Sequence, residues 1–154
     1  MTITIDDFLA FVDITLDGYR RAIDRLDDDS ANRSPDLDGA NSPFAIVTHA
    51  TGAARWWTMH VTLGEPTDRH RQAEFTSRGP VTDLTRSVDE LQRDLAVVRP
   101  RLARATQLGA DPGRGPEGWS WTVGSVLMHA YEELAQHLGH LELTVDLVTR
   151  PATG

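Results

Sequence analysis

The sequence predicts an all-α protein, and three observations favour a four-helix bundle. Four segments place apolar residues three and four positions apart, which is the spacing of a single helix face. No segment of any length alternates apolar and polar residues in the way that a half-buried strand does. The chain has 154 residues, which is enough to bury one core without disulfide bonds. Four long helices with one apolar face each pack most simply as a bundle.

The first two helices have clear start signals. We expect the first helix over about residues 5–27, with Thr4 as its N-cap. Its apolar face consists of Phe8, Phe11, Val12, Leu16, Tyr19, Ile23 and Leu26. The second helix is predicted over about residues 43–63, because Ser42 is a good N-cap and a proline occupies the first helical position. Gly64 marks its end, since glycine readily adopts the left-handed conformation that closes many helices.

The third and fourth helices carry longer apolar stripes. The third begins near Thr82, and its stripe consists of Leu84, Val88, Leu91, Leu95, Val98 and Leu102. Pro100 interrupts this pattern, so a kink or an early end is expected there. The fourth helix is predicted from near Thr122 to about Val148. Its core stripe consists of Val126, Leu127, Ala130, Leu134, Leu138, Leu141, Val145 and Val148.

The connections and chain ends suggest the domain organisation. Residues 64–81 connect the second and third helices, and 18 residues can extend about 60 Å. A helix of 20 residues is only about 30 Å long, so this crossover connection can return along the whole bundle. The sequence has no internal repeat and no low-complexity tract. We therefore expect one domain over residues 1–148, followed by a frayed tail over residues 149–154.

The composition excludes several kinds of function. A formal net charge of −8 argues against binding to nucleic acids or anionic membranes, which attract basic surfaces. No apolar run approaches the roughly 20 residues of a membrane span, and the first residues lack a signal-peptide layout, so we expect a cytoplasmic location. Cysteine and lysine are both absent, which removes thiol nucleophiles, disulfides and Schiff bases. Any chemistry therefore falls to histidines, carboxylates, hydroxyls or a bound cofactor.

The fourth helix has the spacing of a chelating site. Residues 128–143, MHAYEELAQHLGHLEL, contain three histidines and three glutamates. Side chains four residues apart converge on one helix face, so Glu133 can bind one metal ion together with His137 or with His129. His137 and His140 form a third candidate pair at a spacing of three. Spacing alone leaves these pairs open, and their alternative role is that of ordinary solvated residues.

A metal ion also needs a ligand from another helix, and His49 is the clearest candidate. It lies about two turns into the second helix, where a histidine is either a satisfied core residue or a ligand. His49, Glu133 and His137 would provide two imidazoles and one carboxylate, a set found in catalytic zinc and non-haem iron(II) sites. Three protein ligands leave a coordination position open. His140 and Glu132 are then candidates for general acid–base catalysis or for support of the ligands, or else they are solvated.

Two segments, SPFAIVTHATGAARWW and WSWTVGSVLMHAYEELAQHLGHLEL, resemble the DinB-like superfamily of metal-binding four-helix bundles. The resemblance covers most of the chain, from the histidine early in the second helix to the chelating pair followed by glycine. Many members use three histidines, whereas Glu133 fills the middle position here. Glu133 followed by His137 is similar to the branch that contains the mycothiol-dependent maleylpyruvate isomerase and mycothiol S-transferases. An acidic residue that some relatives carry near GAARWW is absent from that segment.

This resemblance implies an up-down-down-up order of helices, which the long crossover permits. It implies a divalent ion on His49, Glu133 and His137, with zinc first and nickel, iron(II) or manganese as alternatives. The ion would bind a low-molecular-weight thiol of the mycothiol type as a thiolate, which then attacks an electrophile. Trp56 and Trp121 would wall the cosubstrate pocket, or else serve as core aromatics. Bundles of this kind also form homodimers through a helix face.

The sequence therefore favours a metal-dependent thiol S-transferase or isomerase whose partners are a small thiol and an electrophilic substrate. One alternative is a non-catalytic metal-binding stress-response protein that retains the ion without turnover. A third hypothesis is a helical interaction module without metal. Metal content separates the third hypothesis from the other two, and thiol-dependent turnover separates the first from the second.

Overall fold

A computed structural model describes residues 3–107, 114, 116–117 and 121–150, except for the side chains of residues 106 and 107. This part of the chain is helical and contains no strand, so the prediction of an all-α bundle is confirmed. Its α-helices are α1 (Ile5–Ile23), α2 (Asp28–Asn32), α3 (Pro43–Arg55), α4 (Arg71–Glu74), α5 (Val81–Gln107) and α6 (Val123–Val148). A π-helical segment, Trp56–Val61, directly follows α3.

The predicted start signals act as helix caps. The Thr4 hydroxyl accepts a hydrogen bond from the Asp7 backbone N–H, and the Asp7 carboxylate accepts one from the Thr4 N–H. The Ser42 hydroxyl accepts a bond from the N–H three residues later, at the start of α3. Thr122 does the same at the start of α6. Side-chain oxygens thus replace the hydrogen-bond partners that the first turn of a helix lacks.

The second long helix changes its geometry along its length. After α3, the segment Trp56–Val61 closes backbone hydrogen bonds over five residues instead of four. Helical structure ends at Leu63, and Gly64 follows with a φ of 74°. The Arg114 guanidinium donates to two backbone carbonyls of the last turn, at 3.1 and 3.0 Å. The predicted limits of this helix are confirmed, whereas its π-helical turn was not anticipated.

α5 continues through Pro100, so the early end that this proline suggested is wrong. A proline inside a helix lacks an N–H group and crowds the carbonyl four residues earlier, which costs about 3 kcal/mol. Val98 and Leu102 flank Pro100, and both are buried. Burial of such side chains stabilises the helix by about 1.5–3 kcal/mol each. The apolar stripe on both sides of the proline therefore offsets its local cost.

The four long helices form a bundle in which α1 and α3 occupy opposite corners. Each of these two helices packs against both α5 and α6. The contacts that fix the helix directions pair Asp6 with Arg99, Arg20 with Asp89, Arg25 with Asp146, Tyr19 with Leu134, His49 with His137 and Trp57 with His129. They make α1 antiparallel to α5 and parallel to α6, and α3 antiparallel to α6. These are the relative directions of an up-down-down-up bundle.

The main core lies between the long helices. Its least exposed large side chains are Leu16, Tyr19, Leu84, Leu91, Leu102, Leu134 and Leu141. Phe11 departs from the prediction, because it is 56% exposed at the edge of the α1 stripe and contacts the Tyr131 ring. A smaller apolar cluster surrounds Trp57, between the end of α3 and the start of α6, and Trp56 and Trp121 pack against it.

The crossover connection is partly ordered by α2 and α4. Asn32, at the end of α2, exchanges two hydrogen bonds with the backbone of Gly79. The Asp28 carboxylate accepts a bond from the Val81 N–H, at the start of α5. α4 packs against α3. The connection therefore places side chains of α4 beside the long helix that carries His49.

Among the described residues, no helix has both the length and the apolar character needed to cross a bilayer. Of the predicted frayed tail, residues 149 and 150 form a bend and residues 151–154 lie outside the described part of the chain.

Candidate metal centre

His49 on α3 and the pair Glu133 and His137 on α6 meet between the two helices. One donor atom from each residue lies within 4.8 Å of the other two. The Glu133 Oε2 atom lies 4.0 Å from His49 Nε2 and 3.7 Å from His137 Nε2. Because Glu133 and His137 are four residues apart on one helix, their side chains converge toward α3. The structure thus brings together the three residues that the sequence proposed as ligands.

Burial and neighbouring charges favour the metal-binding protonation states of this triad. His49 is only 4% exposed, and this burial lowers the pKa of its imidazole, although the Glu74 carboxylate opposes the effect. The adjacent His137 imidazole lowers the pKa of Glu133, while partial burial of Glu133 acts in the opposite direction. A neutral imidazole and an ionised carboxylate are the forms that bind a metal ion.

A buried carboxylate on α4 orients the His49 ring. Glu74 Oε2 lies 2.8 Å from His49 Nδ1, and Glu74 is 8% exposed. An ionised carboxylate only accepts hydrogen bonds, so the Nδ1 atom of His49 carries the proton and donates it to Glu74. The lone pair of Nε2 then faces Glu133 and His137. Carboxylates that hold metal-binding histidines in this way fix both tautomer and ring orientation.

Arg69 fixes the Glu74 carboxylate in turn. Its Nε atom donates to Oε1 at 2.6 Å, and its Nη2 atom donates to Oε2 at 2.9 Å. The α3 backbone leaves room for this pair at Gly52, where an added Cβ atom would lie 2.6 Å from Glu74 Oε1. The Phe75 ring stacks on the His49 ring at 4.7 Å. His49 is therefore held by a hydrogen bond along its ring plane and by an aromatic contact on its face.

The donor set suits a divalent cation. Two imidazole nitrogens and one carboxylate oxygen match the ligands of catalytic zinc and of non-haem iron(II). Donors that bind a tetrahedral zinc ion at about 2.1 Å stand about 3.4 Å apart. In the triad, the two pairs that include Glu133 are separated by 3.7 and 4.0 Å, and no two donor atoms are more than 4.8 Å apart. Glu133 and His137, which are both half-buried, therefore have to move inward to bind one ion together with His49. The buried, hydrogen-bonded His49 provides the fixed point.

Two residues of the triad, His49 and Glu133, line a cavity of about 380 Å³. Its walls include His49, Glu133, Trp56, Trp57, Arg69 and Arg71. Trp57 is buried, and Trp56 meets it edge to face at 4.5 Å. Apolar walls beside a polar donor set are typical of small-molecule sites. The cavity is large enough for small substrate groups next to the ligands.

Trp121 and the other candidates occupy a neighbouring region. Trp121 stacks on Trp57 at 6.1 Å and lines a separate cavity of about 660 Å³ together with His129 and Glu132. Glu132 is exposed, and its carboxylate lies 2.9 Å from His129 Nδ1. The other ring nitrogen of His129 lies 3.8 Å from Glu133 Oε1. Trp56 therefore lies in the cavity of the triad, whereas Trp121 and Glu132 lie beside it.

His140 lies on the exposed side of the triad. Its ring centre is 6.2 Å from that of His137. Partial burial lowers the pKa of His140, and the charge of His137 adds to this effect. His140 and Glu132 thus lie on different sides of the ligand pair and do not form one cluster.

Glu74 and Arg69 were missed by the sequence reasoning. Both lie in the crossover connection, among charged residues that give no helix-face pattern of their own. The signal that could have pointed to them is the acidic residue expected near GAARWW but absent there. Glu74 places a carboxylate beside that segment of α3 from a different part of the chain.

The fold and the site together define the class of this protein. It is a four-helix bundle with a candidate metal centre, formed by two histidines and one glutamate between two of its helices. A family model for mycothiol-S-transferase matches residues 7–148, and the chain belongs to that family. The resemblance stated from the sequence is thereby confirmed. No curated protein and no solved structure matches the chain.

Proposed function

We propose that the protein is a divalent-metal-dependent S-transferase that joins a mycothiol-type thiol to an electrophile. Family membership supports transferase activity with mycothiol. The observation that carries the metal dependence is the convergence of His49, Glu133 and His137, two of which line a cavity. Because the chain has no cysteine, the reacting sulfur has to come from the thiol cosubstrate. A cytoplasmic location and pairing into a homodimer stay predictions.

The residues of the site have distinct roles in this proposal. A bound divalent cation would supply the acidity that lowers the pKa of a thiol from its ordinary value of about 8.5. Glu74 and Arg69 keep the His49 tautomer that leaves Nε2 free to bind. Trp56 covers the cavity and excludes water from the reacting sulfur. We further propose His140 as an acceptor for the thiol proton, since it lies beside His137 on the exposed side.

The test is thiol-dependent turnover by metal-loaded protein. The chain is loaded in turn with zinc, nickel, iron(II) and manganese, and incubated with mycothiol and monochlorobimane while bimane fluorescence is followed. We expect one metal to give a rate well above that of the uncatalysed reaction. His49→Ala and His137→Ala should abolish this rate, whereas His70→Ala, an exposed histidine of the crossover, should retain it. Absence of a catalysed rate with mycothiol or bacillithiol would refute the proposal.

The same preparations test the alternative of a non-catalytic metal-binding protein. That alternative predicts one retained ion per chain in the wild type, loss of the ion in His49→Ala, and no thiol-dependent turnover. The variant His140→Ala tests whether His140 accepts the thiol proton without taking part in metal binding. We expect it to slow turnover while the metal content stays at the wild-type level.

A further inference from the structure

We propose that Arg71 recognises a carboxylate on the electrophilic substrate, so that the protein prefers carboxylate-bearing acceptors. This inference rests on the proposed thiol transfer and names the chemical class of the second substrate. It is based on the position of one guanidinium group in the cavity and on the charges around it.

Arg71 lies on the wall of the cavity that His49 and Glu133 line. It is the first residue of α4, and the cavity that it lines also contacts His49 and Glu133. The Arg71 Cζ atom lies 5.3 Å from the centre of the Phe75 ring, and that ring stacks on His49 at 4.7 Å. Two successive ring contacts thus connect the guanidinium to a proposed metal ligand. The guanidinium carbon therefore lies within about 10 Å of the centre of the His49 ring.

The Arg71 guanidinium is available to a ligand. Within the described part of the chain it contacts the Phe75 ring and makes no hydrogen bond or ion pair. The neighbouring Arg69 behaves differently, because both of its interacting nitrogens are bonded to the buried Glu74. A guanidinium presents parallel N–H groups that match the two oxygens of a carboxylate. Arg71 therefore offers the cavity an uncommitted carboxylate-binding group.

With a divalent ion bound, the charges of the cavity would favour an anionic occupant. Glu74 neutralises Arg69, which leaves Arg71 and Glu133 as the other charged side chains among the described residues that line the cavity. A divalent ion on Glu133 would leave one positive charge in excess, and Arg71 adds a second. One thiolate and one substrate carboxylate would balance both charges. The formal charge of the whole chain is −8, so a positive excess at the ion-loaded cavity would be distinct from the rest of the protein.

The inference can be tested with two acceptors of similar size and shape, one of which carries a carboxylate and the other a neutral carboxamide. In both 4-(bromomethyl)benzoate and 4-(bromomethyl)benzamide, the thiolate sulfur forms a bond to the methylene carbon. The carbon–bromine bond breaks, bromide leaves with the electron pair, and the thiol proton passes through its proposed acceptor His140 to the buffer. The measured quantity is the ratio of kcat/KM for the benzoate over the benzamide, after correction for the uncatalysed rates.

We expect Arg71→Ala and Arg71→Gln to lower this ratio about 10- to 100-fold, which is the effect of losing a charge-assisted hydrogen-bonded pair. Arg78→Ala is the matched control, since Arg78 is an exposed arginine of the same crossover that does not line the cavity. It should leave the ratio as in the wild type. A ratio that is the same in the wild type and in both Arg71 variants would overturn the inference.

A binding measurement separates this inference from the proposed function. The unreactive 4-methylbenzoate and 4-methylbenzamide are titrated by calorimetry into wild-type protein and into Arg71→Ala, each as purified. Any contact with a bound ion is common to both proteins, so the difference isolates the guanidinium. We expect the benzoate to bind about 10- to 100-fold more weakly to Arg71→Ala. Such a loss without any turnover would refute only the thiol transfer, whereas turnover with no Arg71 dependence in either assay would refute only the role of Arg71.

Discussion

Replacing Glu74 with glutamine removes a charge that supports the candidate metal site while the side chain keeps its size and shape. In the wild type, one carboxylate oxygen accepts bonds from both His49 Nδ1 and Arg69, and the other oxygen accepts the Arg69 Nε–H. A glutamine has one oxygen and one NH₂ group. If the NH₂ group faces Arg69 Nε, two donors oppose each other. If it faces His49, the imidazole has to move its proton to Nε2, the atom that would bind the metal.

Either orientation weakens the site by a calculable amount. Loss of a carboxylate that supports a metal-binding histidine lowers metal affinity about 10- to 100-fold. This corresponds to about 1.4–2.8 kcal/mol of binding free energy at 25 °C. One charge-assisted hydrogen bond to the buried Glu74 is also lost, which lowers the free energy of unfolding by about 1.5–3 kcal/mol. Glu74→Gln should therefore fold, with weaker metal binding and a reduced unfolding midpoint.

The assay is a competition titration of zinc between the protein and a chromophoric chelator, with urea unfolding measured in parallel. Glu142→Gln is the control, because Glu142 is an exposed glutamate of α6 and its substitution removes the same charge. We expect the control to match the wild type in both measurements. A folded Glu74→Gln protein whose zinc affinity lies within a factor of two of the wild type would refute the role assigned to Glu74.

Three further predictions concern the triad and its surroundings. His137→Ala should reduce bound metal to a small fraction of one ion per chain while the far-ultraviolet circular dichroism stays helical; full metal occupancy would contradict its role. Burial lowers the pKa of His49 and His137 lowers that of Glu133, so the unfolded chain binds more protons as the pH falls from about 6.5 through 4.5. The free energy of unfolding of the metal-free protein should therefore decrease over that window, and a flat profile in urea titrations would count against it. Gly52→Ala should push against Glu74 and lower stability by about 1–3 kcal/mol, although alanine is the better helix former, and a gain in melting temperature would exclude this clash.

The helices were predictable because their limits depend on neighbouring residues. Ser42 and Thr122 cap the N–H groups three residues ahead of them, and Gly64 ends its helix through its own backbone conformation. Pro100 is the instructive exception. There the proline favours an end of the helix, but the helix continues because Leu102 is buried, and that burial depends on packing against other helices.

The site was predictable in part. The i, i+4 spacing established that Glu133 can pair with His137, but it left His129 as an equal partner. In the structure His129 turns one nitrogen to the exposed Glu132, and His137 shares the space with His49. That choice depends on the packing of α3 against α6, which the family resemblance indicated and periodicity alone did not.

Sequence patterns could not predict which residues orient the His49 ring. Glu74 is 25 residues away from His49 along the chain, in a connection whose path no local rule determines. A glutamate in such a charged segment is usually a solvated surface residue. Only the docking of α4 onto α3 reveals that Glu74 is buried, and that Arg69 and Gly52 are adapted to it.

The π-helical turn after α3 has a consequence for the placement of two bulky side chains. A turn that closes over five residues accommodates one residue more than its α-helical counterpart. Trp56 and Trp57 follow each other in this turn, and both side chains border the same cavity. Deleting one residue from the turn would return the segment to regular α-helical winding. The position of two adjacent tryptophans at one cavity therefore depends on the wider turn.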